Sequence, residues 1–318
     1  MSIHNYRNFV KTILRVKGRK NKEKVMRDNY SIHTDLALED KERYESDNIE
    51  ISGVSVDEKY DKEKDVRVTT VKIKTENGAK AMRKPTGTYI TIEAPGMVND
   101  DEIHQNEIAN KLAEYLKELL EIKGKDYTAL VVGLGNREVT PDALGPKVIE
   151  ELQVTRHIIR EYGKYALDEK EAHMVSAISP GVMAQTGMET SEIVKGIVKE
   201  IEPDFVIAID ALAARNTRRL NKTIQIADTG INPGSGVGNH REGITKETLG
   251  IPVIAIGVPT VVDAATIVRD TMGDENQMIA PHLYGMFVTP KDIDETIVKL
   301  SGLISDALNR LFSERIEA

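Results

Sequence analysis

The sequence predicts an α/β fold in which a mainly parallel β-sheet is flanked by helices. Residues 129–132 and 206–209 are continuous apolar runs, which are typical of strands covered by helices on both faces. Strand and helix signals alternate from residue 96 onward, and this alternation favours parallel strands joined by helical crossovers. With 318 residues, 40% of them hydrophobic, the chain is long enough to bury the core of one large domain or two modest ones.

The first 35 residues differ from the rest of the chain in charge. They contain nine Lys or Arg against three Asp or Glu, whereas the whole chain has a formal net charge of −8. A basic leader before an acidic body is typical of an RNA-binding arm, an organellar presequence, a removable pro-segment or a solvated tail. We therefore separate residues 1–35 from a single domain that covers residues 36–318.

Residues 36–95 have the pattern of a β-rich layer appended to the N-terminal side of the core. Apolar and polar residues alternate, fully or nearly, over residues 49–56, 66–74 and 88–92, which predicts short antiparallel strands. Asn77-Gly78 and Pro85-Thr86-Gly87 are typical turn sequences. The α/β core is then predicted to cover residues 96–318.

The core begins with an amphipathic helix, predicted over residues 100–122, before the strand at 129–132. The next helix is predicted to have Pro146 at its first position, where proline is well tolerated. Further strands are predicted at 173–178, 206–210, 223–227 and 252–257, and further helices at 189–201, around Asp263, and at 290–312.

Two aspartates follow the apolar strands of this predicted core. Asp142 comes after the turn Gly133-Leu134-Gly135-Asn136, and Asp210 directly ends the run 206–209. A single aspartate near a helix start is commonly only a cap, because it accepts orphan N–H groups. Two parallel strands that each deliver a carboxylate at the same sheet edge, however, predict a functional site, since such edges carry the sites of open α/β sheets.

Several other classes of site lack their sequence signature. The third glycine of a dinucleotide-binding motif is replaced by Glu138, and the glycine-rich loop at 230–239 lacks the Lys-Ser/Thr ending of a P-loop. The seven histidines have no zinc-protease spacing, no serine lies in a nucleophile-elbow motif, and no cysteine is present. The net charge disfavours nucleic acid as a partner, and no apolar run approaches a membrane span.

Long sequence blocks carry a resemblance to a known family. VVGLGNREVTPDALGPK (131–147), AISPGVMAQTGMETSEIV (177–194) and PDFVIAIDALAAR (203–215) resemble the germination proteases, endopeptidases that degrade small acid-soluble spore proteins. The resemblance implies a zymogen that removes its own N-terminal segment, a homotetramer located in the cytoplasm of the forespore and in the spore core, and no cofactor. It also implies an atypical aspartic mechanism that uses Asp142 and Asp210.

A candidate self-cleavage site lies at the end of the basic leader. Thr34-Asp35-Leu36-Ala37-Leu38-Glu39 resembles the Thr-Glu-Phe/Ile-Ala-Ser-Glu sequence that the family cuts after the acidic residue. We therefore expect cleavage between Asp35 and Leu36, which would remove residues 1–35 as a basic pro-segment and leave residues 36–318 as the catalytic domain.

A more distant likeness concerns hydrogenase-maturation endopeptidases. Gly135-Asn136 followed by Asp142 and Gly145 is similar to their motif, in which a glutamate stands at the position of Asp142. Because those proteins recognise a metal in their substrate, a metal-dependent endopeptidase on the same fold is an alternative. A non-catalytic module that binds spore proteins through its acidic surface is a second alternative.

Paired carboxylates suit peptide hydrolysis without a metal. Two carboxylates held close together share a proton, so one can accept a proton from water while the other donates one or hydrogen-bonds the carbonyl. Donors to the substrate or to the developing oxyanion are expected nearby. The candidate residues for these contacts are Gly135, Asn136, Ser235, Asp263 and Arg215.

Overall fold

The computed structural model describes residues 34–46, 51–121, 126–167, 173–233, 241–272 and 279–313. The basic leader therefore lies outside the described residues except for its last two positions, and the boundary at residue 35 stays a prediction. None of the described helices combines the length and hydropathy needed to cross a membrane.

Within the described residues, nine strands form one sheet. They are β1 (Val54–Asp61), β2 (Val66–Ile73), β3 (Gly87–Glu93), β4 (Thr128–Gly133), β5 (Met174–Ile178), β6 (Phe205–Ala214), β7 (Thr223–Ala227), β8 (Val253–Asp263) and β9 (Phe287–Val288).

The described helices lie before, between and after these strands. They are α1 (Ala37–Ser46), α2 (Glu76–Met82), α3 (Glu102–Leu120), α4 (Leu144–Glu151), α5 (Arg156–Tyr162), α6 (Met183–Thr186), α7 (Thr190–Ile201), α8 (Lys246–Leu249), α9 (Ala264–Met272) and α10 (Ile293–Ser313).

The sheet is mixed, and its order is β1-β2-β3-β7-β8-β6-β4-β5, with β9 paired to the end of β8. Strands β5, β4, β6 and β8 are parallel, as their apolar sequences predict. The N-terminal strands β1, β2 and β3 are antiparallel, and β3 joins the core through antiparallel pairing with β7. The α/β class is thus confirmed, and the β-rich N-terminal region extends the core sheet at one edge.

Helices cover the parallel strands on both faces. On one face, α3, α4 and α10 pack over side chains such as Val131 and Ile207. On the other face, Val194 of α7 packs against Leu130 and Val206. Alternate residues of the same strands therefore contribute to different clusters, which explains why their sequences are apolar throughout.

Several local predictions were wrong. Asn77-Gly78 is part of α2, because the Thr75 hydroxyl accepts a hydrogen bond from the Gly78 N–H at 3.1 Å and caps that helix. The strand predicted at 49–56 begins only at Val54, and residues 47–50 lie outside the described chain. Asp263 ends strand β8 instead of lying within a helix.

The helix predicted after Asp142 is two helices. It begins at Leu144, so Pro146 is its third residue, and it ends at Glu151. Leu152 adopts an extended conformation with ψ of 135°, and the chain resumes helical geometry only at Arg156. The continuous periodic pattern therefore spans a break that local periodicity does not reveal.

Candidate active site

A tight turn after β4 positions the Asp142 carboxylate. Asp142 ends a single turn of 3₁₀-helix, and the Asn136 N–H donates to its Oδ2 at 2.8 Å and to its main-chain oxygen at 3.0 Å. Gly135 has φ of +110°, and a Cβ atom there would lie 2.0 Å from the Asp142 carbonyl oxygen. Glycine is therefore required for the turn to close on Asp142.

Helix α4 is seated directly on the end of β4. A Cβ on Gly133 would lie 2.3 Å from the Gly145 carbonyl oxygen, and a Cβ on Gly145 would lie 2.3 Å from the Leu134 carbonyl oxygen. The two glycines allow backbone contact between strand and helix. This contact fixes the turn that carries Asp142 against the adjacent strand β6.

The strand predicted at 206–210 was too short, because β6 continues to Ala214 and Asp210 lies in its middle. Asp210 still lines the same cavity as Asp142. Its side chain is buried, with 6% exposure, and its Oδ1 accepts a hydrogen bond from the Ala211 N–H at 3.0 Å. The cavity has a volume of about 390 Å³ and is lined by both aspartates. Its other lining residues include Asp35, Val139, Pro141, Asn232, Thr260 and Phe287.

Burial raises the pKa of both carboxyl groups. The pKa of Asp210 is raised well above its ordinary value by desolvation, and the negative charges of Asp142 and Asp35 act in the same direction. Desolvation also raises the pKa of Asp142, but the Asn136 N–H and the positive charge of Arg241 oppose the increase. The pKa of Asp210 is thus raised further than that of Asp142, so a proton shared by the pair resides preferentially on Asp210.

The residues of the predicted cleavage site run beside the end of β6. The Asp35 N–H donates to the Ala213 carbonyl at 3.2 Å, and the Asp35 Oδ2 accepts from the Ala213 N–H at 2.9 Å. Leu36 is fully buried against Leu212, Ala214 and Val262. Asp35, predicted from sequence similarity alone, therefore lines the cavity that contains the two aspartates, and Leu36 packs against Leu212, which also lines it.

The chain was compared with known proteins by sequence and by structure. The sequence model of the germination proteases matches residues 32–274. The chain belongs to the germination protease family. It is therefore a peptidase with a role in spore germination.

Individual members of the germination protease family support this assignment. The germination protease of Caldanaerobacter subterraneus subsp. tengcongensis is 47% identical, over 87% of this chain and 93% of the relative. That of Clostridium perfringens strain SM101 is 45% identical, over 88% and 94% respectively. That of Bacillus pumilus is 49% identical, over 79% and 69%.

One structural match concerns the hydrogenase-maturation proteins. It is the crystal structure of a NiFe hydrogenase maturation protease, HycI, from Thermococcus kodakarensis KOD1. The match covers 60% of this chain and 98% of the other, with 19% identity and a TM-score of 0.32. This TM-score is too low to support an inference about the germination protease.

The structure places the other residues that were predicted as substrate or oxyanion contacts in several kinds of contact within the chain itself. The Asn136 N–H donates to Asp142, and the Asn136 side-chain oxygen accepts a hydrogen bond from the Gln185 amide at 3.2 Å. The Arg215 N–H donates to buried Glu39 at 2.7 Å. Asp263 caps α9 by accepting from the Thr266 N–H at 3.1 Å, and Ser235 lies outside the described residues. These roles stay predictions.

Three residues near the cavity were missed by sequence reasoning. Arg241 acts electrostatically on both aspartates, and Lys84 and Gln225 contact the segment that contains Asp35. Only Gln225 carried a signal, since a buried strand reading Thr-Ile-Gln-Ile-Ala contains one large polar residue. Within the described ranges, no group of three or more His, Asp or Glu side chains is arranged to hold a metal ion.

Proposed function

We propose that the protein is an aspartic endopeptidase, made as a self-processing zymogen, that starts the degradation of small acid-soluble spore proteins during germination. It cuts after the acidic residue in Thr-Glu-(Phe/Ile)-Ala-like sequences and acts as a homotetramer in the spore core. The observation that carries the proposal is one cavity lined by Asp142, Asp210 and Asp35, the acidic residue of the chain's own cleavage-like sequence.

The two aspartates have different roles in this proposal. Ionised Asp142 accepts a proton from a water molecule, whose oxygen attacks the carbonyl carbon of the residue before the bond. Protonated Asp210 gives its proton to the departing nitrogen as the C–N bond breaks. The products are a new carboxyl group and a new amino terminus, and proton exchange between the pair restores the starting state. The stronger upward pKa shift of Asp210 supports its assignment as the acid.

The position of residues 34–36 supports a zymogen. These residues occupy the edge of β6 beside the cavity. They are held there by the hydrogen bond from the Asp35 N–H to the Ala213 carbonyl and by the one that the Asp35 carboxylate accepts from the Ala213 N–H. A spore protein presenting a similar sequence would compete for the same strand edge. Removing residues 1–35 would free that edge for substrates.

The test is mass and N-terminal analysis of the full chain after incubation. We expect a new N-terminus at Leu36 in the parent protein and none in Asp142→Asn or Asp210→Asn. Asp204→Asn is a matched control, because Asp204 precedes the opposite end of β6, where its carboxylate accepts from the Thr128 N–H at 2.7 Å. The control should process normally.

Three results would contradict the proposal. Processing in both aspartate variants would exclude a two-aspartate mechanism. Loss of processing with a chelator, followed by recovery with added metal, would favour a metal-dependent endopeptidase. Stable binding of an intact spore protein by a folded parent that never forms the new N-terminus would favour a binding module.

A further inference from the structure

The main-chain carbonyl of Asp35 receives two side-chain hydrogen bonds. The Lys84 Nζ donates to this oxygen at 3.0 Å, and the Gln225 Nε2 donates to it at 3.0 Å. This carbonyl belongs to the Asp35–Leu36 peptide bond, the bond that the proposed function breaks. Both donor distances fall within the range of about 2.7–3.1 Å that suits oxyanion stabilisation.

The buried Gln225 side chain makes hydrogen bonds to the main chain before and after the Asp35–Leu36 bond. Its side chain is 8% exposed, in a strand paired with β3 on one side and β8 on the other. While its Nε2 donates to the Asp35 carbonyl, its Oε1 accepts from the Ala37 N–H at 2.7 Å. The amide therefore fixes the orientation of the Asp35–Leu36 peptide group relative to the sheet.

Lys84 is also held in position by its surroundings. It follows the left-handed end of α2 at Arg83, and its own N–H donates to the Ala79 carbonyl at 3.2 Å. Its side chain is 14% exposed, and Nζ lies 3.7 Å from Asp40 Oδ2. A partly desolvated ammonium group stabilises a nearby negative charge more strongly than one in bulk water does.

We propose that Lys84 and Gln225 are catalytic residues that stabilise the oxyanion during peptide cleavage. As water adds to the carbonyl carbon of Asp35, the C=O π electrons move onto the oxygen that both side chains contact. When the C–N bond breaks, these electrons return to re-form C=O, and the proton from Asp210 leaves with the nitrogen. This inference rests on the proposed function and adds to it the groups that stabilise negative charge on the scissile carbonyl oxygen.

The same two side chains would serve substrates bound in trans. A spore-protein segment that replaces residues 34–37 presents its scissile carbonyl to Lys84 and Gln225. The N–H of the second residue after that carbonyl, which corresponds to the Ala37 N–H, then donates to the Gln225 side-chain oxygen. Selection would depend on main-chain geometry at these positions, and sequence preference would come from neighbouring side-chain contacts.

The experiment compares first-order self-processing rates of full-length variants. Gln225→Glu is nearly isosteric, retains an oxygen for the Ala37 N–H, and removes the donor to the Asp35 carbonyl. Lys84→Met removes the ammonium, whereas Lys84→Arg retains a donor. Lys80→Met is the matched control for Lys84→Met, since it removes an ammonium group from an exposed position on α2.

We expect Gln225→Glu and Lys84→Met each to slow processing by about 100- to 1,000-fold. Lys84→Arg should recover at least about one tenth of the parent rate, because it retains a donor, and Lys80→Met should stay within about threefold of the parent, because Lys80 is exposed on α2. Hydrogen exchange of residues 34–39, measured in the uncleaved Asp142→Asn background, distinguishes a catalytic role of the two side chains from simple anchoring of this segment. In Gln225→Glu and Lys84→Met, exchange there should change by a far smaller factor than the processing rate does.

The possible failures are distinguishable. If the parent itself forms no new N-terminus at Leu36, the proposed function fails and this inference fails with it. If the parent processes and both donor variants do so within about threefold, only the oxyanion assignment is wrong. It is equally wrong if the variants slow processing in proportion to faster exchange of residues 34–39, since the side chains would then only anchor the segment.

Discussion

Replacement of Gly135 by alanine tests whether the turn after β4 fixes the position of Asp142 in the proposed catalytic site. The new Cβ would lie 2.0 Å from the Asp142 carbonyl oxygen and 3.2 Å from its Oδ1, at a backbone φ of +110°. The backbone conformation alone costs about 1–3 kcal/mol in a non-glycine residue. The contact with the Asp142 backbone adds about 1–3 kcal/mol of overpacking, because the oxygen must move by about 1 Å.

The expected result is a loss of both stability and activity. The free energy of unfolding, measured by urea denaturation, should fall by about 2–6 kcal/mol. Because displacement of a reacting group by about 1 Å can cost about 100-fold in rate, self-processing should slow at least that much. Rates are compared at a temperature where the variant is fully folded.

Gly163→Ala is the control for backbone strain without a clash. Gly163 has φ of +84°, and a Cβ there would meet nothing within 4 Å. It should lose about 1–3 kcal/mol of stability and keep the parent rate of self-processing. If Gly135→Ala also processes at the parent rate, or loses no more stability than Gly163→Ala, the geometric argument for Asp142 is refuted.

The remaining predictions concern the buried carboxylates. Self-processing should have a bell-shaped pH profile, falling at high pH as Asp210 loses its proton and at low pH as Asp142 gains one, because the proposed mechanism needs one acid and one base. The raised pKa values of both groups shift both limbs to higher pH than for ordinary aspartates, and a flat profile would contradict the paired mechanism. Asp210→Asn should stabilise the fold at neutral pH, because a carboxyl group whose pKa is raised on folding costs stability at every pH above its unfolded-state pKa. Thermal unfolding as a function of pH should show that this gain disappears below the ordinary aspartate pKa, where the carboxyl group is protonated in both the folded and the unfolded state. Glu39→Gln should destabilise the fold by about 1–3 kcal/mol, because Glu39 is 4% exposed and accepts from the Arg215 and Asn216 N–H groups. Glu58→Gln is its control, because Glu58 pairs with Arg67 where both side chains are exposed, and the expected loss in the same urea titration is below about 1 kcal/mol.

The predicted carboxylate pair shows how far local sequence reasoning reaches. Apolar runs indicated two parallel strands, and parallel strands present their carboxyl ends at the same edge, so Asp142 and Asp210 were expected together. The structure brings them into one cavity. The turn and helix boundaries were less predictable. A capping bond from Thr75 converted an apparent Asn77-Gly78 turn into part of a helix, and such competition depends on side-chain geometry.

The sequence by itself determined the α/β class, the two site-bearing strands and, through family resemblance, the expected cleavage position. These features are encoded locally, in apolar runs and in contiguous motifs. Only the tertiary structure decided that β3 pairs with β7, and thereby which side chains face the Asp35 carbonyl. Lys84 and Gln225 are far apart in the chain, so no periodicity or spacing relates them. Strand register and long-range pairing bring them to one peptide bond, because the hydrogen bonds of a sheet join segments without regard to their separation in sequence.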